Sequence, residues 1–380
     1  MNALLVVLLL GPLVMAAVAA VIGRNRSRLA GRLGAGAAAL GFLGAAVLAV
    51  AAALGHPASV SVGSTPAVTA DRLAVVLLLL VYGVSAIVQT YAIRYLAEDD
   101  RAGWFGAGAG LLTTASAVLM TSDTLVVLAL GWTVAGVALC LLLATYWRLP
   151  SARDGVRRTA VSFLIGDVAL WSAVALIAAT QHTVELRALA GASLGGPIIA
   201  LAAGLVVVAA LSRSAQIPFH RWLPATLAAP TPVSALLHAG VVNAGGVLLI
   251  KLSPVVTSSG VVQALIILAG LATLAYGAAI MLAKPDIKGA LAHSTRLRVV
   301  IGLVPALRGG DGRELDHDES TRFPGAFEHG DRAPTHHEAA AMSRDARAGE
   351  LAVARGPRLV GAVDVDDDIG GHVRERTVPA

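Results

Sequence analysis

The stretch "RSAQIPFHRWLPATLAAPTPVSALLHAG", residues 213–240, interrupts a chain that is otherwise oily. It holds Arg213, His220, Arg221 and His238 together with Pro218, Pro224, Pro230 and Pro232, with apolar runs on both sides. The upstream run, Pro197 to Leu211, is too short to cross a bilayer core, which needs about 20 mostly apolar residues. A crossing there must continue through "SRSAQIPFH", which carries Arg213 to depth. Pro218 has no N–H and its ring clashes with the carbonyl four residues back, so the helix is expected to break near Ser214. Pro232 suits the first turn of the next helix, where a missing N–H costs nothing. The stretch therefore reads as a broken seventh membrane helix, a proline-rich connection and the start of an eighth.

Composition agrees. Of 380 residues, 56% are hydrophobic and 14% charged, with a mean hydropathy of +0.75, which places the chain among polytopic membrane proteins. Apolar runs at about 2–23, 34–54, 73–93, 104–122, 124–146, 159–180, 197–219, 232–250 and 260–283 predict an all-α polytopic protein with about nine transmembrane helices. The first run lacks the basic flank of a signal peptide and is too long for one. Arg24, Arg26, Arg28 and Arg32 follow span one. Arg94 and Arg101 follow span three, Arg148, Arg153, Arg157 and Arg158 span five, and Lys284 and Lys288 span nine. The alternate loops are nearly uncharged, so the positive-inside rule puts the N-terminus outside a cell (inner or plasma) membrane. The single cysteine, Cys140, rules out a disulfide framework or a thiolate cluster within one chain. No nucleotide-binding, haem or metalloprotease motif occurs, and nothing suggests nucleic acid.

Charges inside the spans are the candidate functional groups. Asp167 is the acid well inside a helix, and an intramembrane carboxylate normally faces a partner or a wet cavity. Broken helices beside a cation are the pattern of ion-handling sites, which singles out Arg213 and the break at Pro218. His238 shares a helical face with Ser234 and lies beside a small-residue stripe, Ala235, Ala239, Asn243 and Gly246, that would admit a neighbouring helix. Imidazole titrates near neutrality, so His238 is a candidate proton relay. Lys251 ends span eight as an exit group or an interfacial anchor. His220, Asp286 and Lys288 are assigned to the cytoplasmic ends of the spans.

Residues 213–295, from "RSAQIPFHRWLPATLAAPTPVSALLHAG" to "DIKGALAHST", closely resemble the proton-translocating antiporter-like membrane subunits, a family that includes chain 5 (subunit L) of NADH–quinone oxidoreductase. "GDVAL" at 166–170 and "LALGWTVAGVALCLLLATYW" at 128–147 fit its sixth and fifth helices, and hydropathy agrees over residues 1–295. "HAGVVNAGG" at 238–246 looks like the branch formed by the membrane subunits of two-component inorganic carbon transporters. That resemblance implies a CO2/bicarbonate uptake complex in which proton or cation flow through this subunit drives a soluble, zinc-binding, carbonic-anhydrase-like partner in a heterodimer. It implies no cofactor in this chain, the zinc being the partner's, and no enzyme activity of the chain by itself. The alternative is a proton-pumping subunit of NADH–quinone oxidoreductase or a cation/proton antiporter, with other NADH dehydrogenase membrane subunits as partners and quinone and NADH in the complex. The family has lysine where this chain has Arg213, a histidine at His238 and, in the respiratory subunits, a glutamate where this chain has Thr133. The resemblance therefore predicts an Arg213 without its usual acid.

The chain changes character near Thr295. Residues 1–295 carry nine acidic and seventeen basic residues; residues 296–380 carry fifteen and twelve and contain no Lys, Asn, Gln, Cys, Tyr or Trp. The expected organisation is an antiporter-like transmembrane domain over 1–295 and a polar cytoplasmic tail over 296–380, disordered or the product of a shifted reading frame. Resequencing across codon 295 checks it: a frameshift predicts a restored apolar continuation after correction.

Overall fold

The computed structural model describes residues 1–23 and 26–283, and these form a helical bundle with one small hairpin. Its helices are α1 (Asn2–Ile22), α2 (Ser27–Ala53), α3 (Arg72–Tyr95), α4 (Ala102–Thr121), α5 (Leu125–Leu143) and α6 (Pro150–Gln181), then the short α7 (Leu186–Ala190) and α8 (Pro197–Arg213). After the break come α9 (Trp222–Ala225), α10 (Thr231–Ala239), α11 (Ala244–Lys251), α12 (Ser253–Thr257) and α13 (Gly260–Ala283). Among the described residues, eight helical segments are long and apolar enough to span, counting α10 and α11 as one; α8, with 17 residues, falls short. Helices α2 and α6 begin well before their apolar runs. Pro150 opens α6 at its first turn, and the next turns are held by an Asp154–Arg158 pair at 2.7 Å. Arginines can occupy such turns because their apolar stems lie along the helix while the heads reach water.

Two expectations are corrected. Span eight is not one continuous helix: Val241–Asn243 form a 3-10 turn between α10 and α11. The close-packing glycine there is Gly245, where a Cβ would run into Ser214 and the Ala210 carbonyl of α8; at Gly246 it would meet nothing. Asp286, Lys288 and the tail 296–380 lie outside the described residues.

Helix α1 shows how this bundle tolerates breakers. Pro12 sits inside it, and its missing N–H deprives the Leu8 carbonyl of its helical donor. The Tyr82 hydroxyl, reaching across from α3, donates to that carbonyl. The Tyr82 ring fits because Gly41 of α2 has no side chain to meet it.

At the end opposite the arginine-rich loops, β1 (Ala58–Val62) and β2 (Thr65–Ala70) form an antiparallel hairpin in what the sequence suggested was plain loop. The α4–α5 connection runs along it. Asp123 N–H donates to the Ala67 carbonyl, and Leu186 N–H donates in turn to the Asp123 carbonyl. The buried Asp123 carboxylate accepts the Thr69 hydroxyl and lies 3.5 Å from Arg187. Lys251 Nζ donates to the Ser122 carbonyl at 2.8 Å, so that end carries a cap drawn from four connections.

Gly41→Ala should overpack the Tyr82 ring and cost about 1–3 kcal/mol. Gly36→Ala, whose Cβ would meet nothing within 4 Å, should instead gain up to ~1 kcal/mol from lower backbone freedom in the unfolded chain. Thermal midpoints of the purified protein in detergent compare the two.

Candidate ion-path site

Helix α8 ends at Arg213, one residue before the position the proline predicts. Ala215 takes the left-handed conformation at φ 51°, and Gln216 N–H reaches back to the Leu211 carbonyl at 3.0 Å, a Schellman closure built on alanine instead of the usual glycine. One further carbonyl of the last turn is met from neighbouring elements. Ser212's carbonyl accepts the Trp222 indole N–H at 2.9 Å and the Ser162 hydroxyl at 3.4 Å. The Ser214 hydroxyl then donates to the Val242 carbonyl at 3.0 Å, joining the end of α8 to the interruption of span eight. Irregular backbone at membrane depth persists only with such partners.

Arg213 is fully buried. Its Nη2 lies 3.1 Å from the Asp167 carboxylate and its Nη1 donates to the Trp132 carbonyl at 3.1 Å. Its guanidinium carbon sits 4.4 Å from the Trp132 ring centre and 4.2 Å from that of Phe163. Helical spacing builds this box. Phe163 and Asp167, four apart on α6, present a ring and a carboxylate to the same guanidinium. Trp132 and Gly136, four apart on α5, supply the second ring and the space: a Cβ on Gly136 would stand 2.8 Å from Nη2. The expected loss of Arg213's acid is thus corrected. Thr133 is not acidic and accepts the Trp171 indole N–H at 3.1 Å, while Asp167 on the next helix supplies the charge. The sequence singled out Asp167 and Arg213 separately. It did not single out Trp132, Phe163 or Gly136, whose only signal is the i, i+4 spacing.

The other predicted residues disperse. His238 is half-buried in the last turn of α10. His220 packs edge-on against Tyr276 of α13 with ring centres 4.9 Å apart. Lys251 belongs to the cap, where Asp71 and Asp123 face its ammonium. Pro224 lies in the short α9, Pro230 precedes α10 as its cap, and Pro232 is in its first turn. Among the described residues no three His, Cys, Asp or Glu side chains converge as a metal site would require.

Two family models match: one described as NADH:quinone oxidoreductase/Mrp antiporter, transmembrane, over residues 122–304, and one as NADH-ubiquinone oxidoreductase (complex I), chain 5 N-terminus, over residues 60–105. The chain belongs to the complex I and Mrp antiporter-like family of membrane subunits. Within that family it is 34% identical over 233 residues to a probable inorganic carbon transporter subunit, DabB1, of Halothiobacillus neapolitanus, covering 59% of this chain and 42% of that one. It is also 34% identical over 229 residues to NADH-quinone oxidoreductase subunit L of Mycobacterium tuberculosis, covering 59% and 36%. Among solved structures it is similar to the Mrp complex from Dietzia sp., with a TM-score of 0.69 and 28% identity over 80% of this chain and 34% of that chain. The chain spans well under half the length of these relatives.

Removing one member of a buried ion pair strands the other, at about 3–5 kcal/mol. Asp167→Ala should therefore sharply lower the thermal midpoint in detergent, and Asp167→Leu combined with Arg213→Met should recover most of the loss. If the double variant is as damaged as the sum of the singles, the pair is not the coupling unit.

Proposed function

We propose that this subunit conducts protons or another cation within a membrane complex that takes up inorganic carbon. The observation that carries the reading is the Arg213–Asp167 pair where α8 breaks, its guanidinium fully buried. A guanidinium keeps its proton at physiological pH, so Arg213 is a poor proton carrier. It acts as a fixed charge that, with Asp167, sets the field at the break. His238, on the half-helix whose continuation α11 packs against α8 at Gly245, is the titratable relay. Such a device conducts rather than performing chemistry, and its energy is passed to a soluble zinc-binding, carbonic-anhydrase-like partner that hydrates CO2. The "HAGVVNAGG" stretch and the 34% identity to the probable carbon transporter subunit support that branch, as does Thr133 in place of an acid. The arginine-rich loops face the cytoplasm and the N-terminus lies outside.

Equal identity to subunit L of the mycobacterial NADH-quinone oxidoreductase favours a second reading, a respiratory or antiporter subunit working beside other membrane subunits. Affinity purification from native membranes separates the two. The first expects a stoichiometric soluble protein that carries zinc, the second NADH dehydrogenase or antiporter subunits. In cells dependent on bicarbonate uptake, His238→Ala should abolish the uptake while the complex still assembles. Full uptake in that variant would reduce the chain to a scaffold.

A further inference from the structure

Where α8 stops, the connection that follows it lies against α6 and leaves a surface pocket of about 240 Å³ at the arginine-rich end of the bundle. One wall is α6, whose Arg157, Arg158, Val161 and Ile165 share a face by helical spacing. The other wall includes Phe219 and Arg221, past the break. Three guanidinium groups thus surround one small space. Arg158 Nε donates to Asp154 at 2.7 Å. Arg157 and Arg221 are exposed, and neither side chain has an ion pair or hydrogen bond among the described residues. Like charges gathered in this way repel one another, and an anion among them relieves the repulsion. The rest of the pocket is apolar. Ile165 lies about 12 Å further along α6 than Arg157, at 1.5 Å per residue, with Val161 between them. Val161 and Ile165 are exposed, as are their neighbours Leu164 and Val168. The apolar floor therefore continues into the outer face of the spanning part of α6. Cations at one end and an unbroken apolar track at the other match a ligand with an anionic head and a hydrocarbon tail.

We propose that this pocket binds an anionic phospholipid. Its phosphate sits among Arg157, Arg158 and Arg221, whose forked N–H groups match phosphate oxygens. An acyl chain lies along Val161 and Ile165. Basic pockets between membrane helices take such headgroups. A free phosphate would leave the apolar track unused, and a soluble acidic protein could not follow it into the hydrocarbon. Occupancy has a structural consequence. Ser162 and Trp222 line the same pocket and are the two donors that hold the Ser212 carbonyl at the end of α8. The lipid therefore lies over the bonds that close the break and ties α6 to the connection from outside. The site stands whichever ion the subunit conducts.

The test uses the full chain, purified in detergent and stripped of lipid. Phosphatidylglycerol and cardiolipin are titrated in, with phosphatidylcholine as the zwitterionic control, and bound lipid is read by native mass spectrometry alongside the thermal midpoint. The two anionic lipids should bind and raise the midpoint, and phosphatidylcholine should do neither. Near an anionic headgroup each arginine contributes about fivefold, so Arg157→Gln with Arg221→Gln should weaken binding about thirtyfold while the lipid-free midpoint stays where it is. Arg157→Gln alone, with a loss of about fivefold, serves if the double variant does not fold. Arg26→Gln with Arg28→Gln, a matched change in another arginine-rich loop, should leave binding unchanged. In native membranes, Val161→benzoylphenylalanine should photo-cross-link to a phospholipid. Equal binding of phosphatidylcholine, binding indifferent to the Arg157 and Arg221 changes, or an equal loss from the Arg26 and Arg28 changes overturns the proposal. So does complete displacement by inorganic phosphate at constant ionic strength, or a cross-link to protein instead of lipid.

Discussion

A buried guanidinium that must not be left alone shapes the centre of this bundle. Arg213 is wholly removed from solvent in a chain whose composition offers almost no acid at depth. Three helices converge on it: α8 delivers the cation, α6 the carboxylate and one ring, α5 the other ring and a carbonyl. The packing of these helices follows from that demand. Gly136 keeps α5 clear of the guanidinium, and Gly166 lets α6 lie directly on Ser212 of α8. Side chains at either glycine would move the helix that carries an essential partner.

The same economy governs the backbone. Several groups that a proline or a break releases have a named side chain waiting: Tyr82 for the Leu8 carbonyl, Trp222 and Ser162 for that of Ser212, Ser214 for that of Val242, and Thr273 for the N–H of Ile217. Aromatic and hydroxyl side chains thus do at depth what water does for loops outside a membrane.

Hydropathy made the span pattern legible, because an apolar run long enough to cross must be a helix when lipid cannot satisfy its backbone. The break after Arg213 was legible from Pro218, a purely local effect. Less could be read where satisfaction comes from another helix. The α10–α11 interruption contains no proline; it depends on Gly245 meeting α8 and on Ser214 binding the Val242 carbonyl, contacts between distant parts of the chain. The pairing of Arg213 with Asp167 was hidden for the same reason. Comparison with the fifth helix pointed to Thr133 as a missing acid, while the actual partner lies on the sixth. The hairpin was hidden too, since its five- and six-residue strands read as polar loop until another connection lies beside them.

The cap at the hairpin end has a mechanical consequence. The hairpin, the α4–α5 turn, the segment before α7 and the end of α11 share one set of bonds through Ser122 and Asp123. Parting α4 from α6 or α11 on that side would require breaking several of these bonds at once, including a buried carboxylate's. A bundle stitched at one rim has its pivot there. Displacement grows with distance from the pivot, so the widest excursions belong to the arginine-rich rim.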